Sequence, residues 1–196
     1  MAGCGWEGTD PLYRQYHDTE WGVPVLDDTR LFEFIVLESA QAGLSWLTIL
    51  RKRSGYRQAF DYFDPKVVAT WSAQDIVKRV ANPAIIRNHA KITAAVTNAQ
   101  AFLRIQQEWG RFARYLWHFA GNRPEIHHYT TRSEVPSTSS LSNRLAGDLK
   151  QRGFRFFGPT ICYAFCQATG VVMDHLVTCD RYSALSTPPP RLFFSD

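Results

Sequence analysis

The sequence has no apolar run approaching the roughly 18–20 residues that a membrane span requires. Its opening, MAGCGWEGTD, lacks both the basic start and the apolar stretch of a secretory leader, so a cytoplasmic protein with no membrane partner is expected. No segment repeats, and strand-like alternation is confined to short pieces around Ile126–Tyr129. Cysteine is sparse: Cys4, Cys162, Cys166 and Cys179. In a reducing compartment four cysteines argue against disulfides and for metal ligands or buried thiols.

What is present is enough for a core. The chain of 196 residues is 45% hydrophobic and 20% charged, which excludes a disordered tail and suits one domain. Aromatics, at 14%, are plentiful. The net charge of +4 is unevenly placed. Residues 1–50 hold two Lys/Arg against eight Asp/Glu, and the remainder holds the other twenty basic and ten acidic groups. A basic body with an acidic front fits a polyanion partner, and it equally fits an unevenly decorated solvated surface.

Helical punctuation dominates, so the fold class is all-α. Thr29 precedes a periodic run from Leu31 to about Arg53 that stops at Ser54-Gly55. Asp64-Pro65 opens a helix, Ser72 and Asp75 form a capping-box pattern, and Asn82-Pro83 starts a further segment. Ile92–Gln107 reads as a long helix and Phe112–Phe119 as a short aromatic one closed by Gly121-Asn122. Residues 130–142 read as a Ser/Thr-rich loop. The expected domain spans 1–185, with a loose Pro-rich tail over 186–196.

Three constellations carry chemistry. Leu141, Leu145 and Leu149 make a helix that stops at Arg152-Gly153; after Phe154-Arg155-Phe156-Phe157, Gly158-Pro159-Thr160 opens another apolar helix. Such a hairpin is either an ordinary αα-connection or a phosphate grip, in which glycines admit the backbone and helix N–H groups meet the anion. Arg152 and Arg155 stand beside it. Secondly, Glu38 falls on the apolar face of the Leu31–Arg53 run, where a carboxylate must be paired or await a ligand. Gly43, Leu44 and Trp46 follow it, and Trp6, Tyr13, Tyr16 and Trp21 crowd the front of the chain; these rings are core or the walls of a pocket that stacks a flat base. Thirdly, His175 and Cys179 are four apart and Cys4 and His17 lie at the other end, a set that is coincidence or a closed tetrahedral zinc site. Cys162 and Cys166 read as buried small hydrophobes.

Taken together, Cys4-Gly-Trp6, Asp10-Pro-Leu-Tyr13, Tyr16-His17-Asp18, Glu20-Trp-Gly-Val-Pro24, Leu37-Glu38, Gln41-Ala-Gly-Leu-Ser-Trp46, Gly158-Pro-Thr-Ile-Cys-Tyr163, Asp174-His175 and Cys179 resemble the bacterial 3-methyladenine DNA glycosylase I family. The similarity runs from residue 1 to about 182. It implies a helix–hairpin–helix glycosylase fold and one structural zinc per chain on Cys4, His17, His175 and Cys179, tying the chain ends together. It implies a base pocket of Glu38, Tyr16 and Trp46 flanked by Trp6, Tyr13 and Trp21, with Leu44 beside Gly43 as a wedge into the base stack. Glu38 is the expected key carboxylate and Asp174 the second choice. The expected activity is monofunctional hydrolysis of the bond to 3-methyladenine, flipped out of double-stranded alkylated DNA by a monomer. Arg152, Gly153, Arg155, Gly158 and Thr160 are the expected DNA contacts of the hairpin. A zinc-containing DNA-binding module leaves Glu38 unexplained, and a zinc hydrolase needs an open position on the metal.

Overall fold

Side chains at the helix starts set the boundaries of the elements. The computed structural model describes residues 3–187. Asp10 accepts from the Leu12 and Tyr13 N–H groups and, with Pro11 at the first position, opens α1 (Pro11–Thr19). Asp27, rather than the expected Thr29, caps α2 (Asp28–Gln41) by accepting from Arg30 N–H at 2.8 Å. Ser45 caps α3 (Trp46–Ala59). The long helix expected over Leu31–Arg53 is therefore two. Gly43, at φ +85°, turns the chain between them, a conformation costly for any residue with a Cβ.

The stop expected at Ser54-Gly55 is also absent, because α3 runs through it to Ala59. A Cβ at Gly55 would lie 2.5 Å from the Ala84 carbonyl oxygen, so this glycine serves close packing and not termination. α4 (Pro65–Val68) and α5 (Ala73–Val80) follow their expected caps, Asp64 and the Ser72/Asp75 box. The segment expected from Asn82-Pro83 is a non-helical connection into α6 (His89–Trp109), capped by Asn88. α7 (Phe112–Phe119) has no side-chain cap of its own. Instead Asp28 of α2 accepts from the Phe112 and Ala113 N–H groups at 2.8 and 2.9 Å. Lys91 of α6 in turn donates to the Ala40 and Ala42 carbonyls at the end of α2 (2.9 and 2.7 Å).

Helix α2 is the centre of the fold. Residues 31–40 are all buried, and the helix packs on α3, α6, α7 and the later α9 (Pro159–Ala168). It thus has no single apolar stripe, and each of its buried Leu, Ile or Phe side chains contributes roughly 1.5–3 kcal/mol. α8 (Ser140–Gln151) packs against α9 across the expected tight turn. Gly153 at φ +102° ends α8, with Phe154 N–H reaching Leu149 O (2.9 Å) and Gly153 N–H reaching Lys150 O (3.1 Å), a Schellman cap. The fold is mostly helical rather than wholly so. A two-residue parallel pair, β1 (Glu125–Ile126) with β2 (Val172–Met173), joins distant parts of the chain. Within the expected 130–142 loop lies a 3₁₀ turn, Arg132–Glu134. α10 (Asp180–Leu185) follows; from residue 188 the expected loose tail lies outside the described residues. No helix among the described residues is long and apolar enough to cross a membrane.

Candidate active site

The spacing of α1 sends Tyr16 and His17 inward together, leaving them 3% and 1% exposed. Tyr13, one turn earlier, stays half-buried beside Trp6, with ring centroids 5.0 Å apart. Trp6 also meets Trp21 edge-on at 5.0 Å, and Tyr16 meets Trp46, the first residue of α3, at 5.4 Å. These five aromatic residues line one cleft of ≈ 330 Å³, which Glu38, Gln41, Arg132, Gln167 and Asp174 also reach. The indole N–H groups of Trp6 and Trp46 are buried without a partner. Every aromatic expected at the pocket is there.

Helix α2 supplies two buried carboxylates, and their surroundings differ completely. Glu33, 2% exposed, is ringed by guanidiniums: Arg53 at 2.8 Å, Arg30 at 3.4 Å and Arg57 at 3.6 Å. Glu38, 4% exposed, has no hydrogen bond or ion pair among the described residues. Burial alone pushes its carboxyl up to about 8. In the empty cleft this favours the protonated form of Glu38 at neutral pH. The same burial, with the nearby Glu38 charge adding to it, holds the Tyr16 hydroxyl well above its ordinary range.

Asp174, beside β2, is in the opposite situation. It is 1% exposed and takes donors from Tyr163 Oη (2.6 Å) and Gln167 Nε2 (2.7 Å), with His127 Nδ1 at 2.6 Å. The carboxylate in turn raises the affinity of His127 for its proton. Asp174 is thus a fixed acceptor at the cleft, and Glu38 a free one.

Against the cleft lies a second cluster. One ligand atom from each of Cys4, His17, His175 and Cys179 falls within 4.8 Å of the others, and all four residues are buried. His175 Nδ1 is 3.5 Å from both sulfurs, and His17 Nε2 is 3.6 Å from Cys179 Sγ. The outer ring nitrogens are engaged: His17 Nδ1 with Asp18 (2.7 Å) and His175 Nε2 with the Trp21 carbonyl (2.9 Å). Such a set can hold a metal ion. Burial raises the Cys4 thiol to about 12 and lowers His175 to about 4, so the histidine is ready as a neutral ligand, whereas the thiol requires a cation to become thiolate.

The hairpin residues are partly as expected. Gly158 caps α9 without any side chain, and a Cβ there would meet nothing within 4 Å. Arg155 and Thr160 are exposed. Arg152, however, is bound to Asp148 (2.6 Å) and bidentately to Glu108 (2.5 and 3.2 Å), so its guanidinium is already neutralised. Leu44 is 38% exposed at the tip of the Gly43 turn, its carbonyl held by Gln41 at 2.7 Å. Cys162 and Cys166 are wholly buried among apolar neighbours, as expected. Sequence reasoning missed the Glu33 ion-pair cluster, Gln167 and Arg132. Glu33 could have been flagged by the rule that found Glu38, since both interrupt one apolar run.

A helical domain with an aromatic cleft, a lone buried carboxylate and a four-donor cluster at its wall has the features of a flat-ring binding site. The comparisons specify the family. The sequence profile of methyladenine glycosylases matches residues 6–182. DNA-3-methyladenine glycosylase 1 of Escherichia coli (strain K12) is 48% identical over 182 residues, covering 93% of this chain and 97% of that protein. DNA-3-methyladenine glycosylase of Haemophilus influenzae is 44% identical over 176 residues, covering 90% and 95%. A solved structure of 3-methyladenine DNA glycosylase I superposes with a TM-score of 0.89 at 45% identity, covering 91% of this chain and 98% of the other. That of 3-methyladenine DNA glycosylase I from Staphylococcus aureus, concerned with 3-methyladenine recognition, gives 0.88 at 39% identity, covering 91% and 95%. This chain belongs to the methyladenine glycosylase family.

Proposed function

We propose that this chain is a cytoplasmic, monomeric, monofunctional base-excision repair glycosylase that releases 3-methyladenine from alkylated double-stranded DNA. The observation that carries the reading is Glu38, a buried carboxyl without a partner among aromatic faces. N3-alkylation leaves the adenine ring positively charged, so a pocket for it needs an anion and electron-rich walls. Glu38 supplies the anion once it ionises, accepting from the exocyclic amine; Tyr16 and Trp46, with Trp6, Tyr13 and Trp21, supply the walls. The glycosidic bond then breaks with its electron pair passing to the base, whose charge is thereby neutralised. Water oxygen bonds to the sugar carbon and sheds its proton to solvent, leaving an abasic site. Asp174, held by three neighbours, is a second anion near this reaction.

The helix–hairpin–helix formed by α8, Gly153, Gly158 and α9 holds the duplex backbone, with Arg155 and Thr160 at its surface, and Leu44 fills the gap in the stack. Arg152 then serves the hairpin by closing it against Glu108 and Asp148. Cys4, His17, His175 and Cys179 hold one zinc ion. Bond lengths of about 2.3 Å to sulfur and 2.0–2.1 Å to nitrogen place S and N about 3.6 Å apart on a tetrahedron, matching the separations of 3.5–3.6 Å. Zinc there supplies structure, since four side chains leave no position for water.

The deciding experiment is chromatographic detection of free base from methylated DNA, with Glu38→Gln alongside. Release of 3-methyladenine by the native enzyme, strongly reduced in the variant, is expected. Equal release by both refutes the role of Glu38.

A further inference from the structure

Arg132 reaches the aromatic cleft from the 3₁₀ turn Arg132–Glu134, exposed, its guanidinium without a hydrogen bond or ion pair among the described residues. Its freedom is not for want of a nearby carboxylate. Glu134, two residues on, accepts from Thr130 N–H (2.7 Å), Thr130 Oγ1 (2.8 Å) and Thr131 N–H (3.5 Å), closing a capping box with Thr131. The backbone before the turn is tied as well, Val177 N–H donating to Tyr129 O at 2.9 Å. The turn is fixed, and the guanidinium it carries is left over. Its charge is felt by Tyr13 in the cleft.

A guanidinium at the mouth of a cleft that takes a cationic base is unfavourable by itself, because like charges repel. An anion against it reverses the sign, and the anion nearest any extruded base is the phosphodiester of its own nucleotide. We infer that Arg132 is the phosphate anchor of the extruded nucleotide, gripping its phosphodiester through the planar guanidinium while the base occupies the cleft. This rests on the proposed glycosylase reading and extends it. The cleft then favours an alkylated base still attached to DNA, and a cleaved base loses that attachment. Arg is suited to the task, since its fork meets two phosphate oxygens at once.

The test compares native protein, Arg132→Ala and Arg132→Lys for binding to a duplex containing a tetrahydrofuran abasic analogue, across a salt series. Binding of free 3-methyladenine is measured alongside. Arg132→Ala should bind the duplex several-fold more weakly, with a salt slope shallower by about one, the value for one lost phosphate contact. Arg132→Lys should retain the slope, and free-base affinity should be the same in all three. An unchanged slope in Arg132→Ala overturns the inference, as does a matching loss of free-base affinity, which would make Arg132 part of the base pocket. The analogue needs no chemistry, so absence of base release by native protein would refute the glycosylase reading while the slopes still decide Arg132.

Discussion

The protonation of Glu38 makes base recognition depend on pH in a calculable way. With burial holding the empty-cleft carboxyl at about 8, about half of it is ionised at pH 8 and only about one-tenth at pH 7, and each pH unit below 7 changes that fraction about tenfold. A permanently charged lesion requires the ionised form, so its affinity should rise about ninefold from pH 6 to 7, about fivefold from 7 to 8, and level off above that. The same step governs discrimination. A carboxylate only accepts, which suits the adenine amine and repels the guanine carbonyl, whereas a protonated carboxyl can donate to that carbonyl. Release of 7-methylguanine should therefore be very poor throughout and relatively least poor at acid pH. The assay is single-turnover excision of both bases between pH 6 and 9, with Glu38→Gln as reference. His127, its proton held more tightly by the hydrogen bond to Asp174, also lies at the cleft, but Gln at position 38 leaves it intact, so any slope due to it persists in the variant. A native profile no steeper than that of Glu38→Gln would refute the reasoning. Comparable release of the two lesions would remove Glu38 as discriminator.

Other expected outcomes follow from the same geometry. Because folding raises the Glu38 pKa above its ordinary 4.5, the stability this contributes is complete below 4.5 and lost as pH rises through about 8. Thermal melts of ligand-free Glu38→Gln should thus exceed native most at pH 8–9 and least at pH 5. The purified protein should hold about one zinc by elemental analysis, and chelation, Cys4→Ser or Cys179→Ser should each lower its melting temperature; equal stability and activity without metal would refute a structural ion. Asn98 donates to the Arg155 carbonyl (3.1 Å) and accepts from its N–H (2.8 Å). Asn98→Ala should cost about 1–3 kcal/mol for each backbone group it strands, read by denaturant unfolding, and weaken duplex binding. Gly158→Val should reduce binding to damaged and undamaged duplex alike, and Arg155→Ala should lower the salt slope by about one; an unaltered slope would place the DNA surface elsewhere.

Several helix boundaries were legible because they are written locally: Asp64, Ser72 and Gly153 each act on neighbours within a few residues. The break between α2 and α3 was not, because Gln41-Ala-Gly-Leu-Ser continues an apolar period while the turn depends on the conformation of Gly43. Nor could Asp28 capping α7, across 84 residues, be read from spacing. At the site, residue types were legible and pairings were not. Glu33 and Glu38 look alike in the sequence, and only the arrival of Arg30, Arg53 and Arg57 separates them. Arg152 and Arg132 show the reverse: the arginine beside the hairpin is neutralised, and the unpaired one sits in a turn that spacing marks only as loop.

The four-donor cluster joins distant stretches of chain, with Cys4 and His175 separated by 171 positions and His17 and Cys179 by 162. During translation the front half of the aromatic cleft must therefore wait, its two early donors unmet, until some 170 residues more have emerged. A chain cut short before Cys179 would have Glu38, every cleft tryptophan and the whole hairpin, yet lack one of the four donors. The four donors can therefore meet only in a chain translated as far as Cys179.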